Sequence, residues 1–411
     1  MRQKWGTALR SVWLSWIAVL GILVTAAGGA DQRSWEAIVT EARGQTVDWF
    51  MYGGMPAANA YVNGYVAREL QTRYGITLRQ APVQDIAEVV GKLVIEKQAG
   101  KTSGGSVDLM WINGENFRTC KRNGLLFGPF ARRLPNQALV DWGRPAVAND
   151  FGEPVEGLES PWGSAQVVMI YDTARVAEPP PSVGDLLRWI KAHPGRFAYP
   201  APPDFTGSVF VRHVFYHVAG DAARWQGDFD PAAFERAATE TYHVLRELAP
   251  FLWRQGQTYP ESPVRLNTLF ADGEVDFSFS YHPAEASRSI TEGLFPDTVR
   301  TYVFEEGTIA NTHFVAIPFN AADTAGAMVT ANFLLSPEAQ LKKADPGVWG
   351  DFPVIDSARL PAEWQARFAA RPRGMATLSD AELQSRQLPE PPSEILIELE
   401  QGWNRHVLKG R

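Results

Sequence analysis

The chain has 411 residues, a formal net charge of −7, 45% hydrophobic residues and one cysteine. An acidic chain with no dense Lys/Arg run repels phosphate backbones, which sets nucleic acid aside as a partner. One thiol cannot form an intramolecular disulfide, and Cys120 lies too far from the N-terminus to carry a lipid; a packed thiol is the expected role.

The chain opens with a leader. Arg2, Lys4 and Arg10 precede an apolar run from Val12 to Ala27, and Gly28, Gly29 and Ala30 lead into Asp31. Charged, then apolar, then small is the order of a secretory signal. The run falls short of the roughly 20 apolar residues that span a bilayer and is broken by Ser15 and Gly21. Cleavage near Ala30 is expected, leaving a mature chain outside the cytoplasm that does not itself span the membrane. Losing three basic residues takes the net charge to about −10, a balance that slightly favours a cationic ligand. The remaining length of about 380 residues exceeds what one core usually supports, so two lobes are expected.

Trp35 to Ala42 carries a short helical pattern, and TVDWFMYGG (46–54) predicts a strand released into a turn by two glycines. Val62, Tyr65, Val66 and Leu70 recur at helical spacing, ITLRQAPV (76–83) is a second strand, and Ile86, Val89, Val90, Leu93 and Val94 form another helical stripe. VDLMWINGENF (107–117) begins as a buried strand and turns polar at Asn113. Strand alternating with helix is the pattern of a mostly parallel sheet with helices on its faces. The alternation resumes with VVMIYD (167–172, strand), VGDLLRWIKAH (helix), RFAYP (196–200, strand) and a helix closed by Gly220. A longer helix is predicted from Pro231 to Leu252. Val275 to Tyr281 alternates with period two, a strand; further strands near 300–304 and 312–318 precede a helix at 325–335 and a Pro-rich, amphipathic tail.

Ligands of open α/β sheets settle beyond the carboxyl ends of the strands. Four such ends carry polar or aromatic groups here. Asn113-Gly114-Glu115-Asn116 turns into a helix start, where capping and ligand contact are compatible. Met51-Tyr52-Gly53-Gly54 offers a hydroxyl and backbone amides, Asp204-Phe205-Thr206-Gly207-Ser208 opens a helix with free amides, and Tyr281-His282 leaves the alternating strand. Two ends in each half suggest a cleft between lobes. Catalytic and metal patterns do not emerge. His213 and His217 in HVFYH lack the glutamate of a zinc-protease helix and read as packing histidines, and Asp228 and Asp230 lack the other ligands of a calcium loop. No cofactor and no metal are expected.

VDLMWINGENF, LLFGPF (125–130), PWGSAQVVMIYD (161–172) and HPGRFAYPAPPDFTGS (193–208) together resemble the periplasmic solute-binding proteins of ABC importers, in a branch related to the thiamine- and iron-binding group. The resemblance implies a two-lobed α/β fold of the second periplasmic-binding type, each lobe a mostly parallel sheet flanked by helices, with the ligand cleft between them. It places 31–165 and 310–345 in the N-terminal lobe, 166–309 in the C-terminal lobe, and 346–411 in a helical segment packing on both. The chain would cross at 161–172 and return at 303–318. It further implies a monomer in the periplasm that hands a small-molecule solute to an inner-membrane ABC permease, without catalysis. The strand-end loops then nominate Tyr52, Trp111, Asn113, Glu115, Trp162, Asp204, Thr206, Ser208, Tyr281 and His282 as ligand contacts. Trp111, Trp162 and Tyr281 would stack on a ring or cover a cation, Glu115 and Asp204 would supply charge, and the amides near Ser208 would donate. No Tyr-Tyr pair is present, which demotes ferric iron, while a thiamine-like cation, a polyamine and a sugar stay open. The alternative from another class is a periplasmic hydrolase with Glu115 and Asp204 as a carboxylate pair, and a third is a partner-binding protein with a vestigial cleft.

Overall fold

The structure is a computed structural model that describes residues 33–226 and 229–410. The leader read at 1–30 lies outside the described residues. Strands are numbered β1 (Thr46–Tyr52), β2 (Thr77–Val83), β3 (Leu109–Ile112), β4 (Asn149–Asp150), β5 (Glu153–Pro154), β6 (Glu159–Gln166), β7 (Val168–Asp172), β8 (Phe277–Ser280), β9 (Val299–Tyr302), β10 (Thr308–Ala316) and β11 (Gln387–Pro389).

In β1, Val47, Trp49 and Met51 are buried while the intervening residues are half-buried, so the strand packs a strong face and a weaker one. It pairs in parallel with β2 and β3. The strand β2 is an edge: it carries Pro82, tolerable only there, and Arg79, whose guanidinium forks onto Asp48 of β1 at 2.8 and 2.9 Å. Between β1 and β2 the chain forms one helical run from Pro56 to Tyr74, started by a first-turn proline and closed by Gly75 at φ 68°. On the other side of β3 lies β10, antiparallel to it and to β6 and parallel to β11.

The second sheet has the order β8-β7-β9, and here the expectation of a mostly parallel sheet does not hold: both pairings are antiparallel. The cause is the route of the chain. After β6, only Val167 intervenes before β7, so the chain passes from one sheet into the next almost without a break, and β8 and β9 run against it. The predicted strand at 196–200 stays out of the ladder. Arg196 O and Phe197 O each accept a single bond, from Asp276 N and Trp253 N, both at 2.8 Å. Pro200, Pro202 and Pro203 then bring no backbone donors. The helix expected to reach Leu252 ends at Leu248, with Pro250 just beyond.

Two large cores follow. One gathers Trp49, Trp162, Phe130 and Phe333 around the first sheet, and the other Phe197, Tyr199, Phe215, Phe277 and Trp403 around the second. The tail after 346 is shared: Trp349, Val354 and Phe368 join the first core, while Ile395, Leu399, Trp403 and Val407 join the second.

Beneath β6 a charged group is sealed in the first core. Lys343 Nζ donates to Asp351 Oδ2 at 2.6 Å, and His313 Nε2 lies 3.1 Å from Asp351 Oδ1, with Lys343 and Asp351 fully buried. A Cβ at position 163 would run into both members of the pair, which is why β6 carries Gly163 there. Burial alone would raise the Asp351 carboxyl, but Lys343 and His313 reverse this and hold it below its ordinary value. Removing one partner leaves an uncompensated buried charge. Lys343→Met should therefore cost about 3–5 kcal/mol, and Lys343→Met with Asp351→Leu should recover most of it. Urea unfolding of the two variants checks this.

Candidate functional site

At the end of β3 the chain turns at Gly114, whose φ of 62° suits a residue without Cβ, and Glu115 opens the helix Glu115–Arg122. The turn is anchored from outside: Gly114 N donates to Asp150 Oδ2 at 2.7 Å. Asp150 belongs to the β4–β5 hairpin, whose two-residue tip is Phe151-Gly152 with φ of 45° and 79°. Such a tip ordinarily takes Asn-Gly, so a phenylalanine there is strained. Its ring explains the placement. Phe151 lies 6.1 Å from Phe205, which stacks on Tyr281 at 4.9 Å with planes 24° apart. Phe151 extends from the first sheet's side, and Phe205 and Tyr281 come from the second. The hairpin is pinned by the tail, where Ser393 N donates to Phe151 O at 3.3 Å and Pro392 presses on Gly152.

Below these rings sits Arg212, 0% exposed. Its guanidinium lies 4.9 Å over the Phe205 ring, donates to Phe205 O at 2.9 Å, and forms an ion pair with Glu390. Glu390 Oε1 also accepts from the Tyr281 hydroxyl at 2.6 Å and from Asn311 Nδ2 at 3.2 Å. Burial opposes the charge on Arg212, but Glu390 outweighs it and keeps the guanidinium protonated. The pair is internally neutral.

Three further carboxyls belong to elements near this pair, and Arg212 lowers two of them, Glu115 and Glu400, without overcoming their burial. Asp204 caps the helix Phe205–Ala219, accepting from Gly207 N at 2.8 Å. Burial raises Glu115, Asp204 and Glu400, and Glu400 is pushed up further by Glu115 and Asp204, which places all three in one electrostatic neighbourhood. The Ser208 hydroxyl, fully buried, lowers the Glu400 carboxyl from nearby yet reaches no partner at hydrogen-bond length. Thr206 is half-buried in the same first turn.

The other nominated residues fall into a second group or stand apart. Trp111 meets Trp162 and His313 edge-on at 5.0 and 4.9 Å, and His282 lies 6.4 Å from His313 and 6.5 Å from Trp349. Trp162 is entirely buried against Trp49 and Trp349, and the buried Nδ1 of His282 has no hydrogen-bond partner. Burial lowers the His282 ring. Asn113 is half-buried between the two groups, and Tyr52 is 46% exposed, its ring folded across Gly54. His213 packs as expected: Nε2 accepts from Ile309 N at 3.1 Å, and burial depresses the ring to about 4.

Sequence reasoning missed Phe151, Arg212, Asn311, Glu390 and Glu400. The two-residue spacing between Asp150 and Glu153 signals a hairpin, and a lone Glu390 inside LPEPP is a charge with no solvated run around it; both cues were available.

Behind the Gly114 turn, Glu159 of β6 is fully buried with neither carboxylate oxygen bonded. Burial raises both Asp150 and Glu159 well above their ordinary values; Asp150 raises Glu159 further, while Glu115 and Glu390 raise Asp150 against the bond from Gly114. The fold thus holds protons that the unfolded chain has released, so the associated stability is present below the ordinary carboxylate range and is lost as pH rises through it. Glu159→Gln should flatten the fall in melting temperature between about pH 5 and about pH 8 and raise it at the upper end, as thermal unfolding across pH will show.

Comparison with known proteins agrees with this architecture. Residues 65–372 match the family described as bacterial extracellular solute-binding protein. The protein YnjB of Escherichia coli strain K12 is 40% identical over 386 residues, 94% of this chain and 97% of its own. Among solved structures, an ABC transporter protein from Clostridium perfringens superposes with a TM-score of 0.62 at 15% identity, covering 88% of this chain and 99% of its own. A periplasmic thiamin binding protein gives 0.58 at 18% identity, covering 88% and 96%. These structural likenesses establish the fold, and the family match and the 40% relative together establish membership: the chain belongs to the family of bacterial extracellular solute-binding proteins.

Proposed function

We propose that this protein captures a small cationic solute in a cleft between two lobes, one built on each sheet, and delivers it to an inner-membrane ABC permease for import. The observation that carries the reading is a set of half-buried carboxyls, Glu115 and Asp204 at two helix starts and Glu400 on the tail helix, beside a buried Arg212 whose ion pair is already made with Glu390. Half-buried carboxyls whose burial outweighs the help of Arg212 become partners when a positive solute enters. Phe205 and Tyr281 supply aromatic faces beside them, and Phe205 is 39% exposed although it is stacked. Of the other nominated contacts, Thr206 and Ser208 share the first helical turn with Asp204, and Asn113 lies two residues before Glu115, while Trp111, Trp162 and His282 belong to the separate aromatic group and Tyr52 stands apart.

Closure follows from differential affinity. Glu115 lies at the end of β3 on the first sheet, and Asp204 caps a helix packed on the second, so a solute touching both binds the closed arrangement better than the open one. The crossing of β6 into β7, paired to β10, gives the hinge. A hydrolytic pair would need one carboxyl held as acid and the other as base. Glu115 and Asp204 are both raised, and burial is the cause in each, so their environments do not divide those roles.

Calorimetry with putrescine, spermidine, choline, glucose and inorganic phosphate tests the reading. One of the cations is expected to bind, with Glu115→Gln and Asp204→Asn each weakening it about tenfold, roughly 1.4 kcal/mol. The asparagine keeps the helix cap, so its loss is not a folding defect. Tight binding of glucose or phosphate with no cation response would overturn it.

A further inference from the structure

A small crevice lies where the β4–β5 hairpin, the crossing strand β10 and the tail strand β11 meet. Asn149, Asp150, Phe151, Asn311, Thr312 and Glu390 contribute to its wall. Its polar character is one-sided. Asn311 is 7% exposed; its amide nitrogen is committed to Glu390, which fixes the orientation of the group, and the buried Oδ1 has no partner. Asn149 spends its nitrogen on Pro145 O at 3.2 Å, again leaving the oxygen. Gln226, also on the wall, spends its nitrogen on Glu390 O at 3.0 Å. Of the two carboxyls, Glu390 is balanced by Arg212, whereas Asp150 has one backbone bond at 2.7 Å and no cation, so burial leaves it protonated until a positive charge arrives beside it.

Acceptors outnumber donors around one carboxyl, Asp150, that an entering cation would ionise; a single carboxylate balances one positive charge and not the two of calcium. Among the described residues no cluster of three or more His, Cys, Asp or Glu could hold a metal ion. We propose that this crevice is a site for a small monovalent cationic head, of ammonium or potassium size, held by the Asp150 carboxylate and the Asn311 and Asn149 amide oxygens. Occupied, it ties the hairpin that carries Phe151 to the crossing strand, and so couples cation binding to the position of the aromatic lid. The inference stands apart from the cleft carboxyls, and its source is either a free ion or the ammonium end of a solute.

The test is the melting temperature of the purified protein in ammonium, potassium or sodium chloride against N-methylglucamine chloride at equal ionic strength, with methylammonium chloride as a further arm. At a cation concentration near 100 mM a rise of about 2 °C or more is expected for the unaltered protein, and none for Asn311→Leu or Asp150→Asn. Asn311→Leu also removes the bond to Glu390, so each variant is compared with its own melting temperature in glucamine and only the cation-dependent rise is read. A rise with an inorganic salt identifies a free ion, and a rise with methylammonium alone identifies a solute head. Equal melting in all the salts, or variants that respond like the parent, overturns the site. If Glu115→Gln abolishes the rise while Asn311→Leu keeps it, the response belongs to the cleft; the crevice assignment then fails and the cationic-solute reading stands.

Discussion

The buried pair of Arg212 and Glu390 is the constraint around which the rest is arranged. An arginine with no exposure is tolerated only if its charge and its donors are both answered. Here Glu390 answers the charge, Phe205 O and Ser208 O answer donors, and the remaining carboxylate capacity is taken by Tyr281 and Asn311. Those partners come from four places in the chain: the helix after Asp204, the turn after β8, the crossing strand β10 and the tail. Replacing such a pair by apolar residues is often nearly neutral, whereas breaking it is not, so its value is positional. It decides where the second sheet's loops stand relative to the crossing strands.

That placement accounts for the chemistry above it. Because Glu390 holds the ion pair with Arg212, the guanidinium only partly offsets the burial of Glu115 and Glu400, and their carboxyls stay raised. Because Arg212 lies flat under Phe205, that ring is held against Tyr281 and offers its other side toward Phe151. The strained tip at Phe151 is then intelligible: a glycine or asparagine would suit the backbone better, but only a ring reaches across. Delivery of Glu390 depends on a three-residue strand, β11, adding in parallel to β10 from Thr308 to Ala310.

Much of this was legible from residue order. Period-two and period-3.6 patterns located β1, β2, β3, β7 and most helices, since burial of one face imposes those repeats. Asn113-Gly114-Glu115 announced a strand end, and β3 does end at Ile112 with Glu115 opening the next helix. What escaped has a common physical cause: it depends on contacts distant in sequence. Nothing local marks Arg212 inside FVRHVF as buried, since its partner is 178 residues away. RFAYP carries strand propensity, yet its prolines and its two isolated acceptors keep it out of a ladder. Trp162 looked like a cleft wall, and packing against Trp49 and Trp349 seals it. Packing of the tail on both lobes was the expectation, but not the burial of Trp349 and Trp403 within two different cores.

A double-mutant cycle of Arg212→Met and Glu390→Leu, read by chemical unfolding, tests the central claim most directly. The account predicts that each single change costs about 3–5 kcal/mol and that the double variant costs far less than their sum, leaving a coupling of 2 kcal/mol or more, about the upper range for groups in one network. Additivity within about 0.5 kcal/mol would show that the two residues act independently, and the arrangement described around them would lose its support.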